Sequence, residues 1–209
     1  MSSQVQICNL ALRRIAAQPI VSLTEGSEEA NVMNDIFDML YQKELRSYPW
    51  RWASVTATLA EISSESPPDF AYVHQLPADY LQMQLIIESV TGETLYDVWD
   101  ELYGKHSLRN QEWEVRQGKL YSNWSDVKIK YTQLVTDYAK LDPTFVEAFA
   151  WKLAMEGAPT ITTREDLVQK AFQMYQLSIN EARGQDGIEQ RRRLNISREY
   201  LGARHFIRR

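Results

Sequence analysis

The sequence predicts an α+β fold: a four-helix body, an antiparallel β insertion and an extended basic C-terminal arm. Three observations carry this. Apolar residues recur at helical spacing at both ends of the chain, and they alternate with a period of two through the middle. Beyond Gly184 the apolar stripe stops and arginines accumulate. The boundaries drawn from these patterns are 1–51 and 137–182 for the helical body, 52–136 for the β-rich insertion and 183–209 for the arm.

The first helix is expected from about Gln4 to Ala17. Ser3 and Gln6 stand in capping-box spacing, where hydroxyl and amide satisfy free backbone N–H groups reciprocally. Val5, Cys8, Ala11, Leu12 and Ile15 share one face, and Gln18-Pro19 closes the helix because a residue before proline avoids helical angles. A second helix opens near Ser27, with Glu28 and Glu29 in its electropositive first turn. Its stripe is Met33, Phe37, Leu40, Tyr41 and Leu45, and Pro49 ends it.

From Trp52 the period changes. Val55 to Leu59 and Val127 to Tyr131 alternate as strands with one wet face. Pro67-Pro68 marks a break. Trp113 to Val115 and Lys119 to Tyr121 flank Arg116-Gln117-Gly118-Lys119 as a hairpin, and Tyr80 to Val90 fits either a strand or a short helix, with strand the preferred reading. Helical signals return at Asp142-Pro143, an N-cap followed by proline at the first helical position. Phe145, Phe149 and Leu153 line that helix, and Gly157 and Pro159 are expected to stop it. Thr162 and Glu165 repeat the capping-box spacing and open a fourth helix to about Ala182, with Leu167, Ala171, Met174 and Leu177 on its buried side.

Charge is divided unequally along the chain. Of 23 basic and 28 acidic residues, the segment from Arg183 to Arg209 holds eight arginines and three acids, a net of +5. The other 182 residues therefore hold 15 basic and 25 acidic side chains, a net of −10. An acidic body with a basic tail is the pattern of an interaction arm. One cysteine, Cys8, excludes an internal disulfide, and no apolar run approaches the roughly 18 residues of a membrane span. Met1 to Gln6 lacks the features of a signal peptide. Folding in a reducing cytosol is the expectation.

Catalytic patterns are not evident. His74, His106 and His205 lie apart with no metal-ligand spacing around them. Gly92, Gly104 and Gly118 are isolated turn glycines and form no phosphate loop, and Cys8 falls mid-stripe where a thiol is inert. Glu28 and Glu29, or Asp97, Asp100 and Glu101, supply carboxylates of the kind glycoside hydrolysis uses, but solvated acids are the simpler reading. Trp50 and Trp52 read as core, and the acids around Tyr96 and Trp99 argue against a stacking platform for single-stranded nucleic acid.

The stretch Ile7-Cys8-Asn9-Leu10-Ala11-Leu12-Arg13-Arg14-Ile15-Ala16-Ala17-Gln18-Pro19-Ile20, followed by Ser22-Leu23 and Glu25-Gly26-Ser27-Glu28-Glu29-Ala30, resembles the phage tail tubular protein A family of head-to-tail adaptors. So do Tyr48-Pro49-Trp50-Arg51-Trp52-Ala53, Leu76-Pro77-Ala78-Asp79-Tyr80, and Asp142-Pro143-Thr144-Phe145 leading into Ala148 to Ala154. The resemblance spans about residues 4–182. It implies a structural virion protein at the head–tail interface, assembled in the host cytoplasm as a ring, commonly twelve-fold. Such a ring binds the portal protein on one side and the tail nozzle or tube protein on the other, and DNA passes through its channel without specific binding. C-terminal segments in such adaptors dock on the portal. That agrees with the charge reading of an interaction arm, and the resemblance then implies portal contacts on Arg191, Arg192, Arg193, Arg198, Tyr200, Arg204, Phe206, Arg208 and Arg209. No catalytic residue, cofactor or metal is implied. The rival readings are a tail-associated peptidoglycan hydrolase and a nucleic-acid-binding module using the basic tail. The first lacks an active-site constellation, and the second carries a body charge that repels its ligand.

Overall fold

A computed structural model describes residues 3–64, 67–88, 92, 94–97, 113–162 and 164–188. The architecture is α+β, with four helices and eight antiparallel strands among these residues. In chain order these are α1 (Gln4–Arg14), α2 (Glu28–Arg46), β1 (Ser54–Thr58), β2 (Ala60–Glu61), β3 (Tyr72–Gln75), β4 (Tyr80–Glu88) and β5 (Thr94–Asp97). Then come β6 (Trp113–Arg116), β7 (Lys119–Ser122), β8 (Val127–Gln133), a 3-10 turn (Tyr138–Lys140), α3 (Pro143–Ile161) and α4 (Glu165–Ile188).

The helix starts follow their capping chemistry. Ser3 and Gln6 form the reciprocal box, with Ser3 N–H donating to Gln6 Oε1 at 2.9 Å and Gln6 N–H to Ser3 Oγ at 3.2 Å. Ser27 caps α2, and Asp142 caps α3 by accepting from the amides of Thr144 and Phe145. The stops depart from the expectation. α1 ends at Arg14, before Ala17, because Ala16 turns left-handed (φ 56°) and the Ala17 amide bonds back to Leu12 O at 3.0 Å. α3 runs through Gly157 and Pro159 to Ile161. Gly157 is a contact point there: a Cβ at this position would meet Met33 Cε at 2.9 Å.

The fourth helix differs most from its reading. It runs to Ile188, past the expected end at Ala182, and the proposed arm boundary at Arg183 falls inside it. Its buried line is Ala171, Ser178, Ile179 and Ala182, while Leu177 is 65 % exposed. Small residues allow close approach to α3, so the largest apolar side chains do not mark the packed face. Thr162 caps the end of α3 and accepts from the Arg164 amide at 3.3 Å, so no box with Glu165 forms across that step.

α3 is the axis of the body and packs against α1, α2 and α4. Phe37, Trp50, Phe145 and Phe149 are fully buried around it, and Phe37 meets Phe149 edge to face with ring centroids 5.3 Å apart. Tyr41 joins this cluster and donates its hydroxyl to Val135 O at 2.7 Å. Asn9 binds both backbone groups of Ile20, at 2.7 and 2.8 Å, which fastens the loop after α1.

The insertion forms two four-stranded sheets, ordered β1-β8-β4-β5 and β2-β3-β7-β6. The β6–β7 hairpin is in the expected register, with Trp113 opposite Ser122 and Arg116 opposite Lys119. Its turn residues Gln117 and Gly118 both have positive φ (49° and 75°), as a two-residue hairpin turn requires. Along β8, Val127, Ile129 and Tyr131 are buried while Lys128 and Lys130 point away. Residues from both sheets, including Leu120, Met83, Ile86 and Ile129, form a second apolar core separate from that of the body.

The joint between body and sheets combines apolar packing, with Trp52, Leu81 and Leu134 against the body's core, and hydrogen bonds. Ser54 Oγ donates to Trp50 O at 2.6 Å and lies 2.9 Å from Gln84 Oε1, and Gln84 Nε2 donates to Thr132 Oγ1 at 2.8 Å. No helix among the described residues is long and apolar enough to cross a membrane.

Candidate functional site at the root of the C-terminal segment

The residues singled out for docking, Arg191, Arg192, Arg193, Arg198, Tyr200, Arg204, Phe206, Arg208 and Arg209, lie outside the described residues. Their point of departure is well defined. The last turns of α4 are fastened to the chain that leaves α2. Asp186 accepts the Arg51 amide at 3.0 Å (Oδ1) and 3.3 Å (Oδ2). Arg183 places its guanidinium 5.6 Å from the centre of the Tyr48 ring and donates Nη2 to Ser47 Oγ at 3.2 Å. Asp186 also lies close to Lys130 on β8. Burial and then the neighbouring Arg51 pull Lys130 below the usual lysine range, while Asp186 acts in the opposite direction. The root is therefore fastened to the segment that leaves α2, through Ser47, Tyr48 and Arg51.

A chain of polar contacts runs inward from this root. Glu44, buried on α2, accepts from Tyr175 Oη at 2.9 Å and from Ser47 Oγ at 3.1 Å. Burial raises the Tyr175 hydroxyl well above the ordinary tyrosine range, and the charge of Glu44 adds to the effect. Lys152, largely buried on α3, sits 4.9 Å from the centre of the Tyr175 ring and pairs with Glu156 at 3.1 Å. Glu44, Lys152, Tyr175 and Asp186 were not among the residues the sequence singled out. Glu44 had a readable signal, since it interrupts the stripe Phe37, Leu40, Tyr41, Leu45. A charge on a buried stripe needs partners.

The residues weighed for chemistry are scattered. His74 is buried in β3 with Nε2 3.0 Å from Ser125 O, whereas His106 and His205 lie outside the described residues. Cys8 is fully buried, and burial pushes its thiol up to about 12, far from a reactive thiolate. Glu28 and Glu29 occupy the first turn of α2. Asp97 is only 9 % exposed, so it is not the solvated acid expected; Asp100 and Glu101 lie outside the described residues. Among the described residues no group of three or more His, Cys, Asp and Glu is placed to hold a metal ion.

No known family model matches the chain, and no curated protein matches it significantly. Physically, the site is a rigid helix end held by a carboxylate and a stacked guanidinium, from which a strongly basic segment continues.

Proposed function

We propose that the chain is a structural connector of a tailed bacteriophage, an adaptor subunit in a ring between the portal and the tail nozzle. The observation that carries this reading is the charge division, joined to the anchored root. A body of net −10 ends in a helix fastened at Asp186 and Arg183, and nearly all the remaining basic excess follows it. The resemblance to the tail tubular protein A family over about residues 4–182 supports the same assignment.

In this role the arginines after Ile188 meet carboxylates on the portal, each capable of a bidentate pair, while Tyr200 and Phe206 fill pockets. A fixed root lowers the entropy lost on docking, because the helix end that precedes the segment is already held in place. An acidic body suits a DNA conduit, since fixed negative charge disfavours phosphate contacts and lets the polymer slide. The ring extends the channel and performs no reaction.

The test is a chain truncated after Ile188. Cutting there, and not after Ala182, keeps Arg183 and Asp186 in place. The truncated chain is expected to melt as the full chain does and to lose co-sedimentation with the portal of its phage. Binding at normal stoichiometry by the truncated chain would overturn the docking assignment. A peptidoglycan zymogram and a salt-dependent DNA shift assay distinguish the hydrolase and nucleic-acid readings, and both are expected to be blank.

A further inference from the structure

The exposed face of α4 is unlike that of α2. On α2, five of nine exposed residues are charged (Glu28, Asp35, Asp38, Lys43 and Arg46). On α4 four of fourteen exposed residues are charged (Glu165, Asp166, Lys170 and Glu181), and only two of these lie beyond its first turn, from Gln169 to Ile188. At ~100° per residue, Gln169, Gln173, Gln176 and Asn180 form a strip, flanked by Phe172 and Leu177. Phe172 is 53 % exposed and Leu177 65 %. A solvated helix face ordinarily carries charge, and loss of charge with retention of aromatic and amide groups is the composition of an interface core.

A complementary surface lies elsewhere on the same molecule. Between α1 and α3 runs a groove of about 370 Å³, lined by Leu10 and Val146 with Gln6, Asn9 and Arg13 at its edges. Leu10 is 36 % exposed. Val146 at this groove and Lys152 beneath α4 are ~120° apart around α3, so groove and ridge face different directions. The two surfaces also match in charge. Glu181 lies one turn beyond Leu177 on the ridge, and Arg13 lies one turn beyond Leu10 in the groove. Neither makes an ion pair with a described residue.

We infer that α4 of one copy seats in the α1–α3 groove of the next, with Phe172 and Leu177 on Leu10 and Val146, and Glu181 facing Arg13. Because ridge and groove are different surfaces, the contact is head-to-tail, the geometry that generates a ring when its rotation closes. This deepens the connector reading, on which it rests, by naming the contact between subunits. A face ~30 Å long and ~10 Å wide offers a few hundred Å², less than the roughly 800 Å² per partner of a stable pair. Single pairs are therefore weak, and stability comes with closure, when every copy makes two contacts.

Cysteine cross-linking of the full-length chain tests this cleanly, because the native Cys8 is buried. The double variant Leu10→Cys/Leu177→Cys, concentrated and treated with a short bis-maleimide, is expected to give a ladder of multimers. Each single variant alone is expected to stay monomeric. Arg13→Glu should remove most of the ladder, and adding Glu181→Arg should restore it. A dimer from Leu177→Cys alone would show the ridge pairing with itself, and a double variant that stays monomeric would show no such contact; either overturns the inference. Portal capping is scored separately on the unmodified chain. Capping without the ladder sinks this interface and leaves the connector role, whereas a ladder without capping does the reverse.

Discussion

The helical body and the β insertion are built on different scales. Among the described residues the body's core joins 27 buried residues from all four helices and the segments between them, and its centre is aromatic. Among the described residues of the insertion eight form its core, from the strands and the turns beside them. Where they meet, Trp52, Leu81 and Leu134 pack on the body's core, beside the hydrogen-bonded Ser54, Gln84 and Thr132 of the first sheet. Apolar burial contributes about 25 cal/mol per Å², so the larger core dominates stability. The two cores are expected to unfold separately, the insertion without dismantling the body.

The largest expected effect comes from breaking the body at its centre. Phe149 is fully buried between Phe37 and Phe145. Phe149→Ala should cost about 3–5 kcal/mol. Equilibrium denaturation followed by far-ultraviolet circular dichroism measures it, and a wild-type midpoint would refute the packing described. Leu120 holds the corresponding place in the insertion. Leu120→Ala should cost that unit about 2–4 kcal/mol. Hydrogen exchange should then quicken at β7 and β8 while α3 keeps its protection. Equal loss in both regions would mean that the two cores unfold as one.

A smaller effect is expected where the two regions meet. Asp186→Ala removes the acceptor of the Arg51 amide and a carboxylate near Lys130, a loss of about 1–2 kcal/mol. Faster exchange at Arg51 and Ser54 is the local signature, and unchanged exchange there would show the root to be unanchored. The smallest effect concerns pH. Glu25 accepts from Ser27 Oγ and from the amides of Val21 and Ser22, and these bonds hold its carboxyl below the ordinary glutamate value. Its contribution is complete above about pH 4.3, the ordinary value, and is lost as pH falls through the lowered one. Glu25→Gln should therefore lower stability slightly at neutral pH and flatten the acid limb, so that the two chains converge at low pH. An acid limb identical to wild type would remove Glu25 from that account.

The contrast also explains what the sequence made legible. Local signals were readable because they act within a few residues. Ser3 with Gln6, Asp142 with Pro143, the Gln117-Gly118 turn and the alternation along β8 all correspond to what the chain forms. Features set by distant partners were not readable. Pro159 does not stop α3, and Leu177 lies outside although it fits an apolar periodicity. The face of α4 that packs is marked by Ala171, Ser178 and Ala182, residues whose significance appears only against α3. The candidate site was legible as composition, a basic tail on an acidic body. Its anchor was not, because Asp186 and Arg51 are 135 positions apart. The body of α4 past Ala182 was missed for the same reason: contacts with Tyr48 and Arg51 replace the apolar stripe there.

Electron microscopy of the purified full-length chain mixed with the portal of its phage tests the connector role most directly. The account predicts a closed ring of added density on the narrow end of the portal, lost when the chain ends at Ile188 and weakened by Arg13→Glu. Portals that remain bare in the presence of excess full-length chain would contradict it.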